Sequence, residues 1–444
     1  MSAAAGRMHF INARLPLRED NQLYELKAEG GKWISIRQQS GFLDAAAAGL
    51  IRPLIPALAG TDLKKLAEAE CIDLQGGIIL PGLVDCHMHL DKAFSLEQVS
   101  NLSGTLQEAI HNYSQAVPDF SKEQLAGRML AAARLALSNG TTTIRSHLDF
   151  PVHLGKEVAF RTIAAALEVR EKLSGSMNIQ YSLMVPFRGD QRVVDEAVAE
   201  ALRMGIDVLG GAPHLADDPE GEISRIFRLA EQYGVPVDLH ADESDDPGKR
   251  TVLSIAEHTI RYGYQGRVTA GHLCSLSAMD EKDAQVVITK MKDARLNAVT
   301  LPAVNLYLQG RDDRGLVRRG TTRIRELLTV GIPLAAASDN IQDPFHPFGR
   351  GDLTQIAQIT SYAAHMGGEE DLVQLLRMIT DVPAGIVGSE GYGIQEGNVC
   401  NFVVTDAADV TQLLSGTSLS RWVYSCGGWQ SGLYAARAYA MDNQ

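Results

Sequence analysis

Leu83-Val84-Asp85-Cys86-His87-Met88-His89 is a run of β-forming residues that ends in two histidines one residue apart. Side chains of a strand alternate faces, so His87 and His89 share a face about 7 Å apart along the chain. Seven more short apolar runs follow, at 142–150, 179–187, 206–213, 236–243, 267–274, 296–304 and 332–340. Each gives way to a polar or Gly/Pro segment, and amphipathic stretches such as 125–138 and 195–204 lie between them. Eight such units predict an α/β fold, a (β/α)8 TIM-like barrel whose catalytic groups sit at the carboxyl ends of the strands.

Those ends carry the unusual residues. The fifth run closes on His240-Ala241-Asp242-Glu243, the sixth on Gly271-His272 and the eighth on Ser338-Asp339-Asn340. On its own, the His87-x-His89 pair reads equally well as two polar residues at a strand mouth. Three histidines and an aspartate gathered at strand ends form a mixed N/O donor set suited to one divalent transition metal per chain, Zn2+ or Fe2+. His272 either joins the ligands or orients the attacking water. Glu243, three residues past His240, sits where the strand has ended and a carboxylate can take a proton from a metal-activated water and return it to the substrate. A surface carboxylate is the competing reading.

Asp242, Asp245 and Asp246 read as solvated, helix-capping or structural. The fourth run ends Gly210-Gly211-Ala212-Pro213-His214 without the lysine that bridges two metals, so one metal is expected. His214 either lines the pocket or is a satisfied loop histidine. His147 and Asp149 share a face at the end of the second run and read as pocket wall or as support for the ligands.

The chain of 444 residues suits a barrel plus a smaller domain, and 45% hydrophobic residues supply a large core. A net charge of -13 argues against nucleic acid or an anionic membrane as partner. The five cysteines include no C-x-x-C pair, which fits a reducing cytoplasm. No signal-like apolar run opens the chain. The most apolar early stretch, 45–59, is broken by Gly49, Arg52, Pro53 and Pro56 and is too short to span a bilayer. Gly-Arg-Gly-Asp at 349–352 is not a phosphate loop and reads as a turn. Residues 1–80 and 391–444 read as short strands and turns, with 8–11, 32–37 and 401–404 the clearest, and they bracket a barrel domain at 81–390.

The stretches Pro81-Gly82-Leu83-Val84-Asp85, His87-Met88-His89-Leu90-Asp91, Ser103-Gly104-Thr105-Leu106, His240-Ala241-Asp242-Glu243-Ser244-Asp245-Asp246, Val268-Thr269-Ala270-Gly271-His272, Asn305-Leu306-Tyr307-Leu308-Gln309-Gly310-Arg311 and Arg318-Arg319-Gly320 resemble, in order, the amidohydrolase superfamily and within it the cytosine deaminases. The resemblance implies a metal held by His87, His89, His240 and Asp339, with Asp339 also counted among the catalytic residues. It implies Glu243 as proton shuttle and His272 as the group that positions the attacking hydroxide. It also implies that the N- and C-terminal segments join into a small β-sandwich.

Three features depart from that branch. Its pyrimidine-reading glutamine has no counterpart in Val185-Pro186-Phe187-Arg188-Gly189-Asp190-Gln191; Arg188 stands in that region and Gln191 lies further along the loop. Asn340 stands where the cytosine enzymes have a second aspartate. Asp91-Lys92 and Ser338-Asp339-Asn340-Ile341 resemble instead N-isopropylammelide isopropylaminohydrolase, a branch without the H-x-D-E of strand five. Phe345 falls where the cytosine enzymes place a tryptophan, as a cover for a flat ring or as a loop anchor.

The leading expectation is therefore a metal-dependent hydrolytic deaminase of a small aminated heterocycle, a cytosine-like pyrimidine or related ring, with Arg188, Asn340 and Phe345 as substrate-binding residues. Arg188, donor-only, favours a ring of carbonyl or anionic character; a side chain turned out of the pocket into a surface ion pair is the competing reading. Removal of a substituted amine from a triazine, or opening of a cyclic amide, is the second reading. A catalytically silent binding scaffold is the third. The partner is a small heterocycle, and homo-oligomerisation is left open.

Overall fold

The computed structural model describes residues 6–43, 71–315, 317–416 and 420–433; the apolar stretch 45–59 lies outside them. The N-terminal segment contributes strands β1 (Met8–Arg14), β2 (Leu23–Glu29), β3 (Lys32–Gln38), β4 (Ile72–Asp73) and β5 (Ile79–Pro81). Eight parallel strands follow: β6 (Leu83–Met88), β7 (Thr141–Asp149), β8 (Asn178–Met184), β9 (Val208–Gly211), β10 (Val237–Ala241), β11 (Val268–His272), β12 (Asn297–Thr300) and β13 (Leu334–Ala336). They pair strictly in sequence order from β6 to β13. The ring is closed by the site itself: Met88 bridges Asp339, Asp339 N donates to His87 O at 2.9 Å and His89 N to Asp339 O at 3.2 Å.

All eight runs are strands, but each stops short of its expected end. The run at 296–304 is the clearest correction, because Pro302 already opens the helix Pro302–Leu308. Elsewhere the backbone leaves the extended region where it carries site residues: φ is 52° at Asp242, 67° at His272 and 62° at Asp339. L-residues rarely adopt such values, and they recur where a side chain must be aimed.

The helices form for local reasons. In Gln191–Met204, Asp190 accepts from the Arg192 and Val193 amides, Gly205 ends the helix with φ 112°, and Val194, Ala197, Val198 and Ala201 form the buried stripe. Asp242, read as solvated, capping or structural, is fully buried and accepts from Thr251 N, Thr251 Oγ1 and Val252 N at the start of Thr251–Arg261. The 349–352 turn leads into Leu353–Ala364, which Asp352 caps.

Beside the barrel, the chain ends build two four-stranded sheets. One runs β3-β2-β1-β4. The other joins β14 (Phe402–Thr405), β15 (Arg421–Ser425) and β16 (Gly428–Leu433) to β5. Phe402 meets Phe10 at 5.4 Å and Trp33 at 5.3 Å between ring centroids, so the two sheets share an aromatic core. This is the small sandwich the resemblance implies. Among the described residues no helix is long and apolar enough to cross a membrane.

A buried ion pair spans the barrel interior. Arg145 Nη1 donates to Asp238 Oδ2 at 2.9 Å, and the same guanidinium reaches Gln180 Oε1 and Ile386 O. Arg145→Leu leaves a fully buried carboxylate unpaired and is expected to cost about 3–5 kcal/mol of stability. Urea or guanidinium unfolding measures this, and a loss below about 1 kcal/mol contradicts it.

Candidate active site

Three ring nitrogens and a carboxylate oxygen converge at the carboxyl end of the barrel. His240 Nε2 lies 3.2 Å from His87 Nε2 and 3.1 Å from His89 Nε2. Asp339 Oδ1 lies 3.7 Å from His87 Nε2 and 3.4 Å from His89 Nε2. All four residues are buried. One imidazole nitrogen offers a single proton or a single lone pair, so His240 Nε2 cannot satisfy both neighbours, and neither Asp339 oxygen has a hydrogen-bond partner. Donors about 2.0–2.2 Å from a common tetrahedral centre stand roughly 3.3–3.6 Å apart. The four residues therefore fit one divalent ion.

The electrostatics agree with the geometry. Burial, helped by the neighbouring imidazoles and Lys92, holds the pKa values of His87, His89 and His240 well below the usual range, leaving the neutral form that ligates metals. Burial and then the Glu243 charge push Asp339 well above its ordinary value, so a cation is what would keep it ionised.

His272 is placed differently. Its Nδ1 lies 3.0 Å from Asn305 Nδ2, and its Nε2 has no hydrogen-bond partner. With His87 and Asp339 it forms a further group close enough to hold a metal. Glu243 Oε1 stands 3.4 Å from His272 Nδ1, and burial pushes the Glu243 pKa up to about 8, where a carboxyl exchanges protons near neutrality.

A cavity of about 200 Å³ opens over this cluster. That is below the roughly 300–1,000 Å³ of drug-sized sites and suits a small ring. Its walls are largely apolar, with Leu106, Ile110, Phe187, Leu308 and Phe345 among them. Asn340 lines it and is held by Asp343 Oδ2 at 2.6 Å. Phe345 lines it half-buried, beside Tyr113.

Arg188 also lines the cavity but is exposed at its mouth, over the Phe187 ring at 5.6 Å, and makes no ion pair among the described residues. Gln191 begins a helix and is not part of the wall. Asp149 lines the cavity, whereas His147 packs beneath His87 at 4.0 Å between ring centroids.

Two residues without an assigned role in the sequence reading belong to the site. Lys92 is buried in the cavity wall and bonds His89 Nδ1 at 3.1 Å and Asp149 Oδ1 at 2.8 Å, fixing the His89 ring. Its signal was the charged pair Asp91-Lys92 set between the apolar Leu90 and Ala93. Asn305 lies 3.0 Å from His272 Nδ1, and only the tertiary fold brings the two together.

Gly349 supports the Asn340 segment from behind. A Cβ there would fall far inside contact distance of Asn340 O and 2.7 Å from Ile341 Cα. Gly349→Ala is expected to displace the strand end that carries Asp339 and to weaken metal retention by about 10- to 100-fold, the scale seen when the support of a ligand is lost. Competition with a chromogenic chelator measures it, and unchanged affinity contradicts it.

Comparison with known proteins agrees with this architecture. The model of the amidohydrolase family matches residues 97–413. A pterin deaminase of Rhizobium rhizogenes is 32% identical over 388 residues, covering 85% of this chain and 85% of its own. An N-isopropylammelide isopropyl amidohydrolase of a Pseudomonas species is 28% identical over 348 residues, covering 76% and 81%. The crystal structure of 5-methylcytosine deaminase from Klebsiella pneumoniae, liganded with 5-fluorocytosine, superposes with a TM-score of 0.86 at 28% identity, covering 98% of this chain and all of the other. Family match, barrel and His/Asp cluster lead to one conclusion: the chain belongs to the amidohydrolase family, metal-dependent hydrolases of carbon–nitrogen bonds.

Proposed function

We propose that the protein is a hydrolytic deaminase of a small aminated nitrogen heterocycle, with His87, His89, His240 and Asp339 holding one zinc or ferrous ion. The observation that carries the reading is Glu243, buried beside His272 in the wall of an apolar cavity directly over the four converging donors. When bound, the ion supplies a Lewis acid that brings the pKa of water close to neutrality. Glu243 accepts the proton of the attacking water and delivers it to a ring nitrogen and then to the departing amine. His272, held at Nδ1 by Asn305, orients the incoming oxygen. Asn340 positions the ring, Phe345 covers its face, and the apolar wall excludes bulk water. The deaminase relatives act on pterin and 5-methylcytosine by name, and both are flat aminated rings.

Displacement of a substituted amine is the second reading, favoured by Lys92 in the cavity wall together with the N-isopropylammelide relative. Five free cysteines support a cytoplasmic location. Incubation of the metal-loaded protein with pterin, cytosine, 5-methylcytosine, isocytosine, ammelide and N-isopropylammelide, with ammonia and isopropylamine quantified, separates the readings. Ammonia from an unsubstituted amine is expected. Isopropylamine alone supports the second reading, and no release from any ring removes both.

A further inference from the structure

Arg188, on the turn after β8, and His153, on the turn after β7, both line the cavity with their side chains exposed. The two turns touch. A Cβ on Gly189, whose φ of 99° favours glycine, would lie 3.5 Å from His153 Cβ. Among the described residues neither Arg188 nor His153 makes a side-chain hydrogen bond or ion pair, and the Arg188 guanidinium rests over the Phe187 ring at 5.6 Å. The other lysine or arginine of the wall, Lys92, is matched by Asp149 at 2.8 Å. Asp190 follows Arg188 by two residues but turns its Oδ1 to the Arg192 and Val193 amides. A chain of net charge -13 thus keeps an uncompensated guanidinium at the opening of its candidate site.

The turn that carries Arg188 is anchored on both sides. Buried Arg225 donates from Nη1 and Nη2 to Pro186 O, each at 3.3 Å, and is itself fixed by Glu222 at 2.9 Å and Asp195 at 2.8 Å. Beyond Gly189, Asp190 caps the helix Gln191–Met204. A guanidinium is a planar fork of donors with no acceptor, and its strongest partners are carboxylates and phosphates. The same cavity is lined by His240, Glu243 and Asp339 at the metal cluster. A ring whose reacting carbon sits over that cluster turns its far side to the mouth. We infer that Arg188, with His153 beside it, forms a subsite for an anionic substituent, a carboxylate or a phosphate, carried on the side of the heterocycle remote from the amine that leaves. The subsite rests on the deaminase reading above and names the rings that the site favours, acid-bearing ones over neutral ones.

The test uses full-length metal-loaded protein and pairs of rings that differ in charge and little in shape: pterin-6-carboxylate against its carboxamide, 6-(phosphonomethyl)pterin against its dimethyl ester, and 5-carboxymethylcytosine against its amide. Steady-state deamination and equilibrium binding are measured for each. In the wild type at least one acid is expected to exceed its neutral partner about tenfold in kcat/KM, mostly through KM, and the preference should fall below about threefold in roughly 0.5 M sodium chloride, since an exposed pair is screened. The pair with the larger preference tells carboxylate from phosphate. Arg188→Gln should bring the acid-to-neutral ratio to within about twofold, and Arg188→Lys, which keeps the charge but not the fork, should restore part of it. Because the readout is a ratio between two rings, a general loss of activity cancels. No preference for any acid in the wild type, or a preference that survives Arg188→Gln, overturns the subsite and leaves the deaminase reading standing. If the variants fail to fold, the wild-type ratios and their salt dependence decide. Absence of binding and turnover of every ring overturns the deaminase reading and the subsite together.

Discussion

Glu243→Gln is expected to leave the fold and the bound metal unchanged and to lower turnover at least ~100-fold, the usual contribution of a positioned proton-transfer group. The reasoning is geometric. Glutamine keeps the size and much of the hydrogen-bonding shape of the side chain but carries no transferable proton. Glu243 is itself no member of the converging donor set, whose atoms belong to His87, His89, His240 and Asp339. Substitution should therefore act on kcat, with metal content and thermal midpoint as controls. Near-normal turnover by a metal-replete variant would make Glu243 a bystander.

Asp339→Ala is expected to have the larger effect. Both Asp339 oxygens are buried without a hydrogen-bond partner, and burial together with the Glu243 charge raises its pKa well above its ordinary value. Such a group is an electrostatic cost unless a cation sits against it. Alanine removes that cost together with one ligand. The metal-free variant should be no less stable than the metal-free wild type, while the rise in thermal midpoint on adding zinc should shrink or vanish. Activity should fall by on the order of 10³-fold or more, since Lewis-acid stabilisation is worth several kcal/mol. A variant that retains a stoichiometric ion and its zinc-dependent midpoint shift would remove Asp339 from the ligand set.

The barrel was legible because its strands are short apolar runs of β-formers, each closed by a polar or glycine-rich turn, and that local pattern survives whatever surrounds it. The ends of the strands were less so. Asp242, His272 and Asp339 turn into left-handed conformations because the site and the ring closure demand it, and a β-propensity reading carries straight through them. The His87–His89 spacing is local, and with His240, His272 and Asp339 at other strand ends the barrel pattern alone suggested a metal. The contact of His272 with Asn305 is one that no spacing encodes. Lys92 was visible as a residue and silent as a function, because its partners His89 and Asp149 come from two strands.

Arg188 was read either as facing the substrate edge or as turned outward into a surface ion pair; it lines the cavity and is exposed over Phe187. His214 left two alternatives open, and the single bond to the His240 carbonyl shows half of each: one nitrogen satisfied, the other unmatched in the cavity wall. The sandwich joins the two ends of the chain through Phe10, Trp33 and Phe402, a pairing that only family resemblance suggested.

The most direct test is a titration of metal-stripped protein with zinc, and in parallel with ferrous iron under anaerobic conditions, while ammonia release from pterin and 5-methylcytosine is followed. Activity is expected to rise linearly and to break at one equivalent per chain. A break at two equivalents, or ammonia release that is undiminished in the stripped protein, would contradict the single-metal deaminase.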